Sequence, residues 1–186
     1  MTQLMPTASV HGRFQPIHTE HLEYILAAFD RARFVHIGIT QFQRGSLSKV
    51  EGADPHRDKP GSNPLSYYER TELIVLALDA AGVDRGRYRV GPFPIEHKDQ
   101  VVEYLPLDVP IFTTRVDRWS DEKIKLLMSI GYDVEVLYNR DPKGVSGTEI
   151  RRLMVAGDDG WIPMVPAGTV EFLRSLNLGQ RIDLDG

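Results

Sequence analysis

Two short segments concentrate the side chains able to do chemistry. The first, Gly12-Arg13-Phe14-Gln15-Pro16-Ile17-His18-Thr19-Glu20-His21, sets two histidines three residues apart where a helix begins. At that spacing both imidazoles lie on roughly one face. A helix N-terminus already attracts anions through its free amides and its dipole, and imidazoles there add N–H donors for phosphate oxygens. Gly12 lets a ligand approach the backbone closely, and Arg13 can grip a phosphate through two parallel hydrogen bonds. The second segment runs from Lys143 to Arg152 and contains Ser146-Gly147-Thr148-Glu149. Ser-x-x-Glu is the spacing of a capping box, which marks another helix start. There the amides around Gly147 and the Ser146 and Thr148 hydroxyls make a second anion site, with Arg151 one turn in to neutralise charge. Each segment also has an ordinary reading. An isolated HxxH is more often a pair of surface or capping histidines, or half of a zinc site, and Ser-x-x-Glu can be a cap and nothing more. Zinc is disfavoured because no third His or carboxylate stands at ligand spacing. Two anion-binding helix starts in one chain point instead to a polyphosphate.

The elements that would position these segments follow from the apolar pattern. Val10 leads into His11-Gly12-Arg13-Phe14, a weak first strand that ends in a loop, and Leu22, Ile25, Ala28 and Phe29 share one side of a helix over Glu20 to Phe29. Phe34 to Thr40 is β-branched and strand-like. Residues 44–64 are polar and rich in Gly and Pro, so they read as a long mobile loop, bearing Arg44, Lys49, His56, Arg57 and Lys59, that could close over a triphosphate. A helix over Tyr67 to Ala81 is stopped by Gly82. Strands follow at Tyr88–Val90 and Pro110–Thr114, with a short helix over Val101–Leu105 between them. Ser120 caps a helix that ends at Gly131, Asp133–Tyr138 is the last strand, and helices follow over Gly147–Val155 and Gly168–Leu176. Strands alternating with helices predict one α/β domain over 1–186, Rossmann-like and doubly wound, with a five-stranded, mainly parallel sheet, helices on both faces and a tail at 179–186. In such sheets ligands sit at the carboxyl ends of the strands, which is where the loops after strands one and five lie.

Bulk composition narrows the partners. The chain has 186 residues, 26 acidic against 22 basic, and a net charge of −4, so no global field favours nucleic acid or anionic membranes. Cysteine is absent, which excludes disulfides, thiolate catalysis and cysteine-ligated metals. No apolar run approaches the ~20 residues that span a bilayer, and the first ten residues do not read as a signal peptide. A cytoplasmic enzyme is expected, and a homo-oligomer is compatible with the sequence but not required by it.

Together these residues resemble the HxGH nucleotidyltransferase superfamily, in particular the archaeal-type nicotinamide mononucleotide adenylyltransferases. The resemblance rests on GRFQPIHTEH at 12–21, NP…YYER at 63–70, SGTEIRRLM at 146–154 and DDGWIPMVP at 158–166, and covers about residues 9–178. It implies a cytidylyltransferase-like fold and transfer of NMP from a nucleoside triphosphate, ATP or CTP, to an acidic phosphorylated small molecule. ATP with nicotinamide mononucleotide, giving NAD, is the leading reading. The acceptor oxygen attacks the α-phosphorus in line, pyrophosphate leaves, and the protein positions groups and stabilises charge. By the resemblance, His18 and His21 contact the triphosphate and stabilise the transition state, and Arg13 orients phosphates. Ser146, Gly147, Thr148 and Arg151 hold the β- and γ-phosphates beside Gly12 and Phe14. Mg²⁺ is implied as the triphosphate's counter-ion, bound mostly by phosphate and water and by no protein metal ligands.

The chain departs from the family in two places. Glu20 stands where the motif has Gly, and favourable capping at the first helical turn is the expectation. The family's Asn and Trp after strand three align with Lys98 and Val101, and Arg115 replaces a small polar residue after strand four. Thr40, Gln41, Lys98 and Arg115 are therefore the expected acceptor-binding set. The two added cations suggest an acceptor with more negative charge or no flat ring, so a cytidylyl- or adenylyltransferase acting on a phosphonate or sugar phosphate is the alternative. Glu69-Arg70 is read at least as readily as a structural salt bridge as a functional pair. A non-catalytic nucleotide sensor is the reading from another class, and the intact histidine pair argues against it.

Overall fold

The computed structural model describes residues 3–47, 59–116, 118–140 and 144–182. Five strands, β1 (Met5–Gly12), β2 (Ala32–Ile39), β3 (Tyr88–Pro92), β4 (Ile111–Arg115) and β5 (Val134–Asn139), form one sheet in the order β3-β2-β1-β4-β5. Every pairing is parallel. The chain winds outward from β1 in one direction through β2 and β3, then returns to place β4 on the other side. The switch point therefore falls between β1 and β4, where crevices open at the strand ends.

Among the described residues six helices cover both faces: α1 (Thr19–Phe29), α2 (Tyr67–Ala80), α3 (Val101–Tyr104), α4 (Arg118–Ile130), α5 (Gly147–Ala156) and α6 (Val170–Ser175). Alternate strand residues sort the core into two layers. Ala8, Val10, Val35, Ile37, Ile39 and Phe112 face Ile25 and Ala28 of α1, Leu73 and Ala77 of α2, and Ile150 of α5. On the other face Ile111 packs with Phe93, Ile95, Val101, Leu105 and Leu127 under α3 and α4. Tyr24 of α1 fastens the switch point: its hydroxyl donates to the Phe112 carbonyl and accepts from the His11 amide.

Several boundaries differ from the sequence-based expectation. The first strand begins at Met5, five residues earlier than the apolar pattern suggests, because Thr7 pairs with β2 and Ser9 with both β2 and β4 despite their polarity. Ser120 does not cap its helix. α4 starts at Arg118, and Ser120 Oγ accepts from the Val116 amide from within the first turn. The last helix is shorter, Val170–Ser175, entered through a 3-10 turn at Ala167–Thr169. Gly82 and Gly131 do terminate α2 and α4, at φ +73° and +115°, a left-handed backbone that glycine takes at least cost. The loop at 44–64 carries 3-10 turns at Arg44–Ser46 and Pro60–Ser62, with Arg44 and Lys59 exposed; Lys49, His56 and Arg57 lie outside the described residues. The expected tail is docked at its start: Arg181 pairs with Glu69 and Ile182 is buried in the core.

Candidate active site

The chain leaves β1 at Gly12 into a tightly held loop. Phe14 takes a left-handed φ of +51° and is buried, so its ring meets the edge of His21 from below, with centroids 5.0 Å apart. Gln15 is locked by a reciprocal pair, its amide donating to the Leu65 carbonyl (3.0 Å) and accepting from the Leu65 amide (2.9 Å). His18 is the N-cap of α1 and His21 its third residue, and the His18 amide donates to His21 Nδ1 at 3.4 Å. That bond makes Nδ1 an acceptor, so a neutral His21 carries its proton on Nε2. The two rings stack at 3.6 Å.

α5 starts against this loop. Arg151, buried at 4% exposure, donates to the Gln15 carbonyl at 2.6 Å and to Thr148 Oγ1 at 3.3 Å. Gly147 is required there, because a Cβ would lie 2.8 Å from the Gln15 carbonyl oxygen. Glu20 completes the junction: one carboxylate oxygen accepts from the Gly144 and Val145 amides (3.0 and 3.1 Å) and pairs with Arg140 at 2.8 Å. Glu20 thus does more than favour the helix dipole. It ties the start of α1 to the segment leading into α5. Burial alone would raise its carboxyl pKa, but Arg140 and the two amides hold it below the usual carboxylate value. Arg140 also pairs with Glu23 and lies over the Tyr138 ring.

The two helix starts therefore converge on one edge of the sheet. Ser146 caps α5 by accepting from the Glu149 amide. The return half of the expected capping box is not among the hydrogen bonds of α5, where the Glu149 carboxylate is bound instead by both Arg152 donors. The Ser146 and Thr148 hydroxyls accept these bonds and keep their protons to donate. Among the described residues Arg151 pairs with no carboxylate, and burial lowers its pKa to about 10. A buried cation on amide-rich helix starts, with no protein counter-charge, suits an anionic ligand.

On the acceptor side, Thr40 and Gln41 follow β2 and are buried, Gln41 at φ +47°. Lys98 is exposed on a 3-10 turn ahead of α3. Arg115 ends β4 beside the switch point and pairs with Asp121 at 2.7 Å. Val101, which the sequence reading aligns with the family's aromatic residue, is wholly buried in the second core layer, so no ring could project from it without displacing the core.

Sequence reasoning missed Glu96 and Arg140, and it named Gln15 and Arg70 without finding what they bind. Glu69 and Arg70 do not pair with each other. Glu69 closes the capping box of α2 with Ser66 and binds Arg181. Arg70 is fully buried and donates to the carbonyls of Arg13 (3.0 Å), Thr40 (2.8 Å), Gln41 (2.9 Å) and Ser66 (3.3 Å). It binds together the ends of β1 and β2 and the start of α2, and burial takes its pKa down to about 10. Its signal was present, since Arg70 lines up with Leu73, Ile74 and Ala77 on the helix's apolar stripe. Glu96 accepts from the Gln41 amide at 2.9 Å, and burial raises its pKa.

No family model matches the chain. Individual proteins do. Phosphonoformate cytidylyltransferase of Streptomyces viridochromogenes is 37% identical over 97% of this chain and 97% of its own length. Nicotinamide-nucleotide adenylyltransferase of Thermococcus sibiricus is 31% identical over 93% of this chain and 86% of its own. The chain belongs to this nucleotidyltransferase family. The likeness spans both helix starts and every strand between them. In three dimensions the nucleotidyltransferase fold recurs in a bifunctional NMN adenylyltransferase/ADP ribose pyrophosphatase from Francisella tularensis, with a TM-score of 0.70 at 18% identity. That match covers 96% of this chain and 52% of the bifunctional protein. The same protein is also known complexed with AMP and a manganese ion. This nucleotidyltransferase is an enzyme, and its five-stranded parallel sheet with helices on both faces is the Rossmann-like fold expected from the sequence.

Proposed function

We propose that the enzyme transfers a cytidylyl group from CTP to the phosphonate oxygen of a small, multiply charged acid of the phosphonoformate type, releasing pyrophosphate. The observation that carries this reading is the 37% identity to a phosphonoformate cytidylyltransferase along essentially the full length of both chains. The acceptor side agrees with it: Lys98 and Arg115 bring positive charge, and the buried Val101 offers no ring for stacking. In the reaction a phosphonate oxygen attacks the α-phosphorus as the bond to the bridging oxygen of the departing pyrophosphate breaks.

The α1 start receives the phosphates at the transferring centre. His21 Nε2–H and the His18 imidazole donate to oxygens that gain charge in the transition state, and Arg13 aligns the α-phosphate with the attacking oxygen. The α5 start takes the β- and γ-phosphates on the Gly147 and Thr148 amides and the Ser146 and Thr148 hydroxyls, with Arg151 compensating the charge. Imidazole and guanidinium groups suit phosphate oxygens, while guanidinium repels a hard cation and imidazole nitrogen is a poor ligand for one, so Mg²⁺ fits this edge when carried on the triphosphate, where it neutralises charge.

Adenylyl transfer to nicotinamide mononucleotide is the second reading, favoured by relatives of that name at 28–32% identity. Pyrophosphate release measured with CTP and ATP against phosphonoformate, nicotinamide and nicotinate mononucleotides and sugar phosphates decides between them. CTP with phosphonoformate should give the highest kcat/KM. Turnover confined to ATP and a pyridine nucleotide would replace this proposal with the second reading.

A further inference from the structure

We propose that His11 is a specificity residue that binds the second acid group of the acceptor, the one that is not nucleotidylated. This rests on the reading above, that the acceptor is a small acid with more than one charged group. His11 is the penultimate residue of β1, next to Gly12, and its alternation with Val10 turns it toward the α3 and α4 side of the sheet. Its ring is buried at 5% exposure, and among the described residues neither Nδ1 nor Nε2 has a hydrogen-bond partner. Buried polar groups are nearly always bonded, and an unbonded one costs stability. One histidine with both nitrogens in that state, beside the phosphate-binding loop, is suited to a ligand that supplies the missing partner.

The surroundings prepare the ring for that role. Gly38 on β2 leaves room for Phe93, whose Cβ would lie 2.6 Å from any Cβ at that position. Phe93 then stacks on the imidazole at 4.6 Å and 17°, fixing its plane. Two residues back along the same face, Ser9 Oγ is also buried and unpartnered, and it lines a cavity of about 270 Å³ with Gly38, Gly91 and Phe93. Lys123 of α4 acts electrostatically on His11. Burial, followed by that lysine, holds the imidazole pKa well below its ordinary value, so the ring is neutral and offers one N–H donor. An acid group that accepts from it also gains the lysine's field. The position suits in-line attack: the triphosphate lies on the helix starts of α1 and α5, which pack on one face, and the acceptor enters from the other.

Steady-state kinetics on His11→Leu, which keeps the side-chain volume and removes both nitrogens, test this. The KM for phosphonoformate should rise at least tenfold while the KM for CTP stays within twofold, and the melting temperature should not fall. The wild type should also prefer phosphonoformate to methylphosphonate at least tenfold in kcat/KM, a preference that His11→Leu abolishes. An acceptor KM within twofold of wild type, or a preference that survives the substitution, overturns the proposal. If His11→Leu does not fold, the imidazole ¹⁵N resonances of wild-type His11 decide. They should shift on adding phosphonoformate, and unchanged resonances at saturating acid overturn the proposal. Because that measurement reads binding without turnover, it stands apart from the pyrophosphate-release screen, whose failure would remove the cytidylyltransferase reading itself.

Discussion

We propose that the stacked His18–His21 pair meets charge that develops during transfer and does not serve ground-state binding alone. His18→Ala should therefore lower kcat by ~10²-fold or more while the nucleotide dissociation constant changes far less; stopped-flow turnover with equilibrium binding of CTP reads both. A parallel loss of binding would mean that the imidazole serves the ground state. Glu20 is a different kind of residue, a structural tie whose worth depends on pH. Its carboxyl is held below the usual value in the folded protein, so the stabilisation is complete above the unfolded carboxylate pKa of about 4.3. It disappears as pH falls through the lower folded value. Glu20→Gln should melt ~2–4 °C below wild type at pH 7, about 1 kcal/mol for a partly exposed ion pair. The two proteins should converge in melting temperature only as pH falls below that depressed folded-state value, where the carboxylate is lost in both states.

At the scale of elements, the site exists because three strand-end loops and two helix starts are joined by bonds that cross the chain. Arg70 gathers the carbonyls after β1 and β2, and Arg151 draws the start of α5 onto the Gln15 carbonyl. The closest of these approaches is at Gly147, where a methyl group would meet backbone at 2.8 Å. Backbone on both sides has little freedom to give, so Gly147→Ala should push α5 away from the β1 loop. The expected result is at least a tenfold loss of kcat/KM with a lowered melting temperature, measured side by side. Gly157→Ala, far from the loop with open space around its Cβ, should lose stability through its φ of +68° while its kinetics are kept.

At the scale of the whole molecule, the two core layers and the docked Arg181–Ile182 segment make the domain one unit, and the proposed ligand site lies across the junction of two of its helix starts. A nucleotide that touches both starts should stabilise the global fold by mass action. Saturation at a hundred times the dissociation constant contributes about 2.7 kcal/mol, which for a domain of this size raises the melting temperature by roughly 5–10 °C. CTP with Mg²⁺ should show this shift in thermal unfolding, and Arg151→Met should lose most of it. An equal shift in both proteins would place the triphosphate elsewhere.

Much of this protein could be read before any coordinates. Periodicity determined the alternation of strands and helices, Gly82 and Gly131 marked two helix ends, and the paired His and Ser-Gly-Thr segments marked two helix starts. These are local matters, decided by spacing along the chain and by backbone preferences over a few residues. The tertiary structure alone decided that the two starts meet, that Glu20 bridges them through Arg140, and that Arg70 turns inward to bind carbonyls instead of pairing with Glu69. It also decided that Val101 belongs to the core and that His11 lies buried with unpaired nitrogens beside the site. Each of these depends on which residues, tens of positions apart, compete for the same hydrogen-bonding group or the same buried volume, and that competition is resolved only when the sheet brings them together.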